Sequence, residues 1–192
     1  MTLFYRCIRA IAFPASVIFP VRGVNKKGIP QGPVLLIINH RIWYDAVAVA
    51  ITATRQVHYM TKSDNYKNKI AAWFFNKCGV FSVHRDTADL TAIRHGIKIL
   101  KEGKILAVFP EGTRNRSGEK LQRFHEGAAM FALKTDCQVI PIYLHPFRLF
   151  RFSRAVVGEP LDLSGWKGQV GRESLAGVTQ LFYDTLDRLA SV

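Results

Sequence analysis

The sequence predicts an α/β fold in which helices flank a mixed, largely parallel sheet. Short continuous apolar runs, such as residues 33–38 and 105–109, are typical of strands buried on both faces. Stretches with the apolar period of a helix separate these runs, as expected where helices cover a sheet. With 192 residues, 48% of them hydrophobic, the chain can bury one substantial core, which excludes a disordered protein. We predict an N-terminal helical segment over residues 1–23 and a single domain over residues 24–192.

The charge balance indicates an anionic partner. Lys and Arg number 27 against 14 Asp and Glu, giving a formal charge of +13. Such an excess favours nucleic acid, an acidic membrane surface or a phosphorylated substrate. The three cysteines are far apart and form no C-x-x-C pair, which argues against a disulfide framework or structural zinc and favours a reducing compartment.

Two arginines and two prolines interrupt the apolar segment over residues 3–21: Arg6, Arg9, Pro14 and Pro20. A transmembrane helix needs about 20 apolar residues with few or no charges, so this segment is a poor candidate. The small-residue cleavage site of a signal peptide is also missing. One interpretation is a helix lying in a membrane interface, with its arginines toward the head groups. The alternative is a helix packed on the sheet.

The remaining elements follow from hydrophobic period and from Gly, Pro and capping residues. After the strand at 33–38 we predict a helix over 43–54, a strand over 57–61, a helix over 66–77, a strand over 79–86, a helix ending before Gly103, a strand over 105–109, a helix over 124–135, a strand over 139–144 and a helix over 171–190. Residues 71–75 are predicted to lie in the core. Asp86 is a candidate N-cap, and Pro141 predicts an edge strand or a local irregularity. The basic and aromatic run over 145–154 favours a half-exposed strand pair over a nucleic-acid or membrane contact.

The first candidate site follows the strand at 33–38. His40 lies where that strand gives way to a helix, and Asp45 comes five residues later. Histidine suits proton transfer near neutral pH, and a carboxylate can orient the ring and stabilise its charged form. The two side chains can meet only if His40 lies in the turn and Asp45 in the first turns of the helix. The alternative is a turn histidine beside a helix N-terminal charge.

A second candidate site follows the strand at 105–109. Gly112 lets the backbone approach a ligand closely, and Arg114 can grip a phosphate or carboxylate with two hydrogen bonds. Glu111 can accept hydrogen bonds from hydroxyl groups or hold an arginine in place. The alternative is a polar turn held by its own Glu–Arg pair. Arg85, also at a strand end, is either a solvated charge or a phosphate contact.

Four blocks in this order carry a resemblance: Asn39-His40 with Asp45, residues 79–85, Phe109-Pro110-Glu111-Gly112-Thr113-Arg114, and Val139-Ile140-Pro141. Over about residues 24–144 the chain resembles the 1-acylglycerol-3-phosphate acyltransferase family of glycerolipid synthesis. That family has an α/β fold, a mixed sheet flanked by helices, bound to one leaflet through an N-terminal helical segment.

The resemblance implies roles for the matching residues. His40 would be the general base and Asp45 its orienting partner in direct transfer from acyl-CoA or acyl-carrier protein, without a covalent acyl-enzyme. Pro141 would shape the acyl-donor side. The acceptor glycerol phosphate would be held by Lys62, Arg85, Glu111, Gly112, Thr113 and Arg114. Ile42 and Arg41 depart from the small polar residues common in the family, which leaves the identity of the acceptor open.

The implied protein is a peripheral, monotopic enzyme on the cytoplasmic face of a membrane. It would bind a lysophospholipid, an acyl-CoA or acyl-carrier protein co-substrate and an anionic membrane surface, and use no cofactor or metal. The acceptor could instead be an ornithine-type lipid, another lysophospholipid or glycerol-3-phosphate. A nucleic-acid-binding protein is disfavoured because no HTH, RRM, KH or zinc-finger pattern is present. A metal-dependent hydrolase is disfavoured because the histidines show no H-E-x-x-H spacing.

Overall fold

The computed structural model of the chain describes residues 1–18, 20–24, 29–84, 89–147 and 152–192. Four sequence predictions concern residues outside these ranges: the role of Arg85, the candidate N-cap Asp86, the end of the strand over 79–86 and part of the run over 145–154. Within the described residues, seven strands form one sheet: β1 (Val21–Val24), β2 (Val34–Ile38), β3 (Val57–Lys62), β4 (Val80–Val83), β5 (Ile105–Val108), β6 (Gln138–Leu144) and β7 (Ser153–Val157). The strand order is β1-β7-β6-β2-β5-β3-β4. Every neighbouring pair is parallel except β6 and β7.

The described helices lie on both faces of this sheet: α1 (Leu3–Ala12), α2 (Ala15–Ile18), α3 (Tyr44–Thr52), α4 (Lys69–Cys78), α5 (Leu90–Lys101), α6 (Gly127–Lys134) and α7 (Arg172–Leu189). Two short 3₁₀ helices add Ser63–Tyr66 and Ser164–Trp166. The prediction of an α/β fold with a mixed, mostly parallel sheet is confirmed. The predicted boundary at residue 23 falls inside β1, so the sheet begins earlier than the predicted domain.

The central strand β2 separates two apolar layers. Its five side chains are fully buried, and they alternate between the faces because successive side chains of a strand point in opposite directions. Leu35 and Ile37 pack with residues of α5, α6 and α7. The other three side chains, Val34, Leu36 and Ile38, pack with residues of α3. The continuous apolar run is therefore explained by burial on both faces.

The prediction of an edge position for Pro141 is wrong, because β6 lies in the middle of the sheet between β2 and β7. The backbone N and O of one strand residue point to the same side, and the Pro141 carbonyl accepts a hydrogen bond from the Gly158 N–H on the β7 side (2.9 Å). The nitrogen that lacks a hydrogen therefore faces β7, just before the β6–β7 pairing begins at Ile142. The missing N–H of Pro141 therefore removes no hydrogen bond between β6 and β2.

The helix caps correct one expectation and support another. The N-cap of α5 is Asp89, not Asp86, and its carboxylate accepts hydrogen bonds from the N–H groups of Ala92 and His84 (both 2.9 Å). Gly103 follows α5 with a φ of 72°, which only glycine adopts readily. The end of that helix is therefore where the sequence predicts it.

Helix α4 does not lie in the core, so the expectation for residues 71–75 is wrong. All of α4 is described, and each of its residues is at least partly exposed. Ile70 is 77% exposed and Trp73 is 54% exposed. The reason is the position of α4 beside the edge strand β4, where α1 packs against the helix but leaves much of its outer face open. The ring of Phe4 packs edge-on against Trp73, with ring centroids 5.4 Å apart.

The N-terminal helix α1 is packed on the protein by one face only. Tyr5 is buried and its hydroxyl accepts a hydrogen bond from the Val57 N–H (3.3 Å), while Arg9 donates to the carbonyl of Ile51 in α3 (2.5 Å). Large apolar side chains are exposed along α1, α2 and the residues between them: Leu3, Ile11, Phe13, Val17 and Ile18. None of the helices in the described ranges is long and apolar enough to cross a bilayer.

Candidate active site

Those candidate polar residues that the structure describes lie at the carboxyl ends of the parallel strands. Strands β2 to β6 are mutually parallel, so their carboxyl ends lie together, and this is where open α/β sheets bind ligands. Three segments of the site lie at these strand ends: Asn39-His40 after β2, Lys62 as the last residue of β3, and residues 109–114 after β5. Asn39 ties two of the ends together, because its side-chain amide donates to the Leu144 carbonyl (3.0 Å) and accepts from the Leu144 N–H (2.7 Å).

His40 and Asp45 are in contact. The distance between His40 Nδ1 and Asp45 Oδ2 is 2.8 Å, and Asp45 is only 1% exposed. His40 lies in the turn after β2 and Asp45 in the first turn of α3, the arrangement that the spacing requires. The same carboxylate oxygen accepts the backbone N–H groups of Arg41 (2.6 Å) and Ile42 (2.8 Å). Asp45 therefore fixes both the ring of His40 and the turn that carries it.

This contact assigns the two ring nitrogens of His40. An ionised carboxylate can only accept hydrogen bonds, so Nδ1 carries the hydrogen and the neutral ring presents Nε2 as its basic nitrogen. The ring also stacks on Phe109, with centroids 4.1 Å apart and planes 22° apart. Together Asp45 and Phe109 hold the ring in one orientation at the cavity that it lines.

Glu111 lies behind His40 rather than in the cavity. It is 2% exposed, and its two carboxylate oxygens accept the backbone N–H groups of His40 (2.7 Å) and Gln122 (3.0 Å). Burial raises the pKa of this carboxyl, and the two N–H donors act in the opposite direction. The Asn115 N–H donates to the His40 carbonyl (2.7 Å). Glu111 is not among the residues that line the cavity.

Of the other predicted acceptor residues, the four that the structure describes line the cavity: Lys62, Gly112, Thr113 and Arg114. Gly112 has a φ of 67°, and any side chain there would collide with the ring of His125, because its Cβ would lie 2.8 Å from the nearest ring carbon. Thr113 and Arg114 follow it, are exposed and line the cavity. Lys62 also lines the cavity and pairs with Asp64 (2.6 Å), whose pKa falls to about 2 because Lys62 and Lys67 both contact it.

Arg41, one of the two departures from the family pattern, is accounted for by packing. Its guanidinium donates to the Tyr143 hydroxyl (3.1 Å) and to the Lys120 carbonyl (3.1 Å). These contacts link the turn after β2 to the end of β6 and to the loop after residue 115. A small polar residue at this position would leave that link unmade.

The cavity itself has a volume of about 1130 Å³, and His40 lies on its wall. One part is apolar and runs beneath α1, α3 and α4, where it is lined by Ile8, Ala12, Val47, Ala50, Phe74 and Phe75. The other part carries the polar residues, including Lys62 and Arg114. Ligand cavities commonly combine a largely apolar lining with a few polar groups.

Sequence reasoning missed His125 in this site. The predicted helix over 124–135 placed it inside a helix, but α6 begins only at Gly127, so His125 lies in the preceding loop against Gly112. Glycine is unfavourable inside a helix, so the Glu126-Gly127 pair could have indicated that α6 begins there and that His125 lies in the loop before it. Within the described ranges, no three His, Cys, Asp or Glu side chains are grouped so as to hold a metal ion.

These features define an α/β enzyme whose histidine, oriented by a buried carboxylate, faces a large and mostly apolar cavity. The chain belongs to the acyltransferase family, because the family model described as Acyltransferase matches residues 20–145. The resemblance drawn from the four sequence blocks is thereby confirmed.

Individual relatives extend the comparison. The 1-acyl-sn-glycerol-3-phosphate acyltransferase of Bacillus subtilis is 29% identical over 191 residues, covering 95% of this chain and 94% of the relative. The enzyme of that name from Streptococcus pneumoniae is 31% identical over 163 residues, covering 80% of this chain and 60% of the relative. The crystal structure of the 1-acyl-sn-glycerophosphate acyltransferase PlsC from Thermotoga maritima has a TM-score of 0.77. The superposition covers 97% of this chain and 78% of the Thermotoga chain. At 20% sequence identity this likeness concerns the fold.

Proposed function

We propose that this protein transfers a fatty acyl chain to the free hydroxyl of 1-acyl-glycerol-3-phosphate, giving phosphatidic acid for phospholipid synthesis. The acyl donor is acyl-CoA or acyl-carrier protein. The observation that carries the proposal is the His40–Asp45 contact at the wall of a large apolar cavity that also holds Arg114. The names of the bacillary and streptococcal relatives support the same reaction.

In the proposed reaction His40 acts as the general base. Nε2 takes the proton of the acceptor hydroxyl while its oxygen attacks the thioester carbonyl carbon, forming the new C–O bond. The C–S bond then breaks, and the departing thiolate takes the proton from the imidazolium. Asp45 stabilises that imidazolium and keeps Nε2 toward the cavity. Proton transfer by such a group contributes roughly 10²–10⁴-fold to a rate.

The acceptor phosphate is assigned to the polar part of the cavity. Arg114 and Lys62 supply positive charge there, and Arg114 can form two parallel hydrogen bonds to a phosphate. Thr113 offers a hydroxyl, and Gly112 and Arg85 belong to the same proposed set. The space that a side chain of residue 112 would occupy is taken by the ring of His125. The acyl chain of the donor is assigned to the apolar part beneath α1, α3 and α4. Pro141 is not among the residues that line the cavity.

We further propose that the protein lies on the cytoplasmic face of a membrane without crossing it. The exposed apolar side chains of α1, α2 and α4 form one candidate membrane surface, which includes Phe13, Val17 and Trp73. Basic residues such as Arg6 and Lys77 lie on the same helices and suit anionic head groups. Residues 1–23 then act mainly as an interfacial segment and residues 24–192 as one acyltransferase domain.

The test is transfer of a labelled acyl group from acyl-CoA or acyl-carrier protein to lysophosphatidate, with vesicles of neutral or anionic lipid. We expect transfer by the natural protein, faster on anionic vesicles, and a loss of about 10³-fold in His40→Ala, because the general base is gone. His95→Ala is the matched control, since His95 is exposed on α5 and outside the cavity.

Two results would overturn the proposal. Equal rates for the natural protein and His40→Ala would remove His40 from the mechanism. Transfer to an ornithine-type lipid, another lysophospholipid or glycerol-3-phosphate, with none to lysophosphatidate, would keep the reaction class but replace the acceptor.

A further inference from the structure

We propose that Glu111 is a positioning residue that holds the backbone of His40, and that it does not contact the acceptor. The inference rests on the proposed function, in which His40 is the general base. It assigns to a carboxylate in the middle of the residue 109–114 segment a role different from that of its neighbours Gly112 and Arg114.

The first argument is that both carboxylate oxygens of Glu111 are already used inside the protein. One accepts the N–H of His40, 71 positions earlier in the chain, at 2.7 Å. The other accepts the N–H of Gln122 at 3.0 Å. With 2% of the residue exposed, little of the carboxylate is accessible to a hydroxyl or phosphate group of a substrate.

The second argument is the side of the turn on which Glu111 lies. Pro110, Gly112, Thr113 and Arg114 all line the cavity, whereas Glu111 does not. The turn is closed by a hydrogen bond from the Gly112 N–H to the Phe109 carbonyl (3.0 Å). The chain therefore directs Arg114 into the cavity and Glu111 away from it, toward the backbone of His40 and Gln122.

The third argument is that both the N–H and the carbonyl of His40 are hydrogen-bonded. Glu111 accepts its N–H, and the Asn115 N–H donates to its carbonyl at 2.7 Å. These two residues enclose Arg114 in the sequence. The segment that would bind the acceptor phosphate therefore also fixes the base that would deprotonate the acceptor hydroxyl.

These contacts give the two buried carboxylates separate tasks. Asp45 fixes the ring of His40 through Nδ1 and accepts the two N–H groups that follow it, and Glu111 accepts the N–H of His40 itself. A misplacement of a reacting group by about 1 Å can cost roughly 10²-fold in rate. Loss of the Glu111 contact should therefore slow the chemical step, while Arg114 and Lys62 still bind the acceptor.

The test compares Glu111→Gln with Arg114→Ala in steady-state acyl transfer to lysophosphatidate. Glutamine keeps the size of Glu111 but removes its charge, and its oxygen can accept only one of the two N–H groups. Because a neutral amide oxygen is a weaker acceptor than a carboxylate, the His40 N–H is held less firmly whichever donor that oxygen pairs with. We expect kcat of Glu111→Gln to fall about 10²-fold with KM for the acceptor changed less than about twofold. Arg114→Ala should chiefly raise that KM. Glu119→Gln, an exposed carboxylate on the adjacent loop, is the matched control and should leave both constants unchanged.

Hydrogen exchange of the His40 amide tests the contact without any reaction. We expect that amide to exchange at least about tenfold faster in Glu111→Gln than in the natural protein, while the amides of β2 keep their protection. If Glu111→Gln does not fold, Glu111→Asp provides the same two measurements, because its shorter side chain cannot span both N–H groups.

The outcomes separate this inference from the proposed function. A raised KM with unchanged kcat in Glu111→Gln would make Glu111 a substrate contact and overturn the inference. Unchanged kinetics and unchanged exchange would also overturn it. Failure of the natural protein to acylate lysophosphatidate would instead refute the proposed acceptor, and the exchange measurement would still decide whether Glu111 holds His40.

Discussion

The two ends of the sheet use polar side chains in opposite ways. At the carboxyl end, His40 and Arg114 present hydrogen-bonding groups to a large cavity. At the amino end, the guanidinium of Arg55 donates to the carbonyls of Pro30 (2.5 Å), Gly32 (2.9 Å from each terminal nitrogen) and Gly103 (3.0 Å). Those carbonyls lie in the segments that lead into β2 and β5, and Arg55 itself leads into β3, so this one side chain joins the starts of three strands.

The difference distinguishes a polar residue that joins backbone segments from one that is exposed to a cavity. Both terminal nitrogens of Arg55 donate hydrogen bonds to backbone carbonyls, whereas Arg114 is exposed and lines a cavity. Both arginines lie in short connections next to buried strands, so residue type and location alone do not tell them apart. What separates them is whether their partners lie inside the protein. Mutations at the two ends should therefore affect stability and catalysis separately.

The largest effect on stability is expected for Arg55→Ala. Its removal leaves partly buried carbonyls without donors, so the free energy of unfolding should fall by roughly 2–4 kcal/mol. Below the melting temperature kcat should be unchanged, because Arg55 does not line the cavity. Urea unfolding and acyl-transfer rates measure the two effects. Arg55→Lys is the stricter comparison, since a lysine keeps the charge but lacks the planar fork; full stability in that variant would show that charge alone suffices.

A smaller effect is expected for Asp89→Ala, which removes a helix cap close to the carboxyl end. Loss of a side-chain cap costs about 1 kcal/mol. The N–H groups of His84 and Ala92 hold the pKa of Asp89 below its usual 3.8. The stabilisation is therefore present above pH 3.8 and is lost as the pH falls through the lower pKa of the folded state. The natural protein and Asp89→Ala should differ in free energy of unfolding at about pH 7, and this difference should shrink below about pH 4. A difference that does not depend on pH would contradict this. Asp89→Asn keeps a capping oxygen and is the control.

The smallest effect is expected for His58→Asn, in β3 near the amino end. Burial lowers the pKa of His58 below 6.5, although the Ile105 carbonyl, 3.0 Å from Nδ1, acts in the opposite direction. The unfolded chain therefore binds a proton before the folded protein does, so stability falls as the pH drops below 6.5. His58→Asn should lose less stability than the natural protein between about pH 7.5 and about pH 5.5 in parallel chemical unfolding. Identical pH profiles would exclude His58 as the source.

The sequence predicts most of the fold because its strongest signals are local. The apolar run of β2 and the five-residue spacing of His40 and Asp45 both lie within one short segment, and the structure places both as expected. The exposure of α4 is not predictable in this way, because an apolar stripe has the same period whether a sheet or another surface covers it. The proposed role of Glu111 cannot be predicted from the sequence for a different reason. Which side of a turn a carboxylate faces depends on residues such as His40 and Gln122, which are distant in sequence.

The position of β2 in the middle of the sheet has a consequence for synthesis of the protein. Its partners β5 and β6 begin about 70 and 100 residues later, with Val34 opposite Ile105 and Gln138. Such long-range pairings form slowly, and a growing chain cannot make them until the later strands have been translated. The helices α1 and α2, with their exposed apolar side chains, therefore leave the ribosome long before a catalytic centre exists. A nascent chain can meet a lipid surface while it is still inactive, and it gains its active site only when β6 closes beside β2.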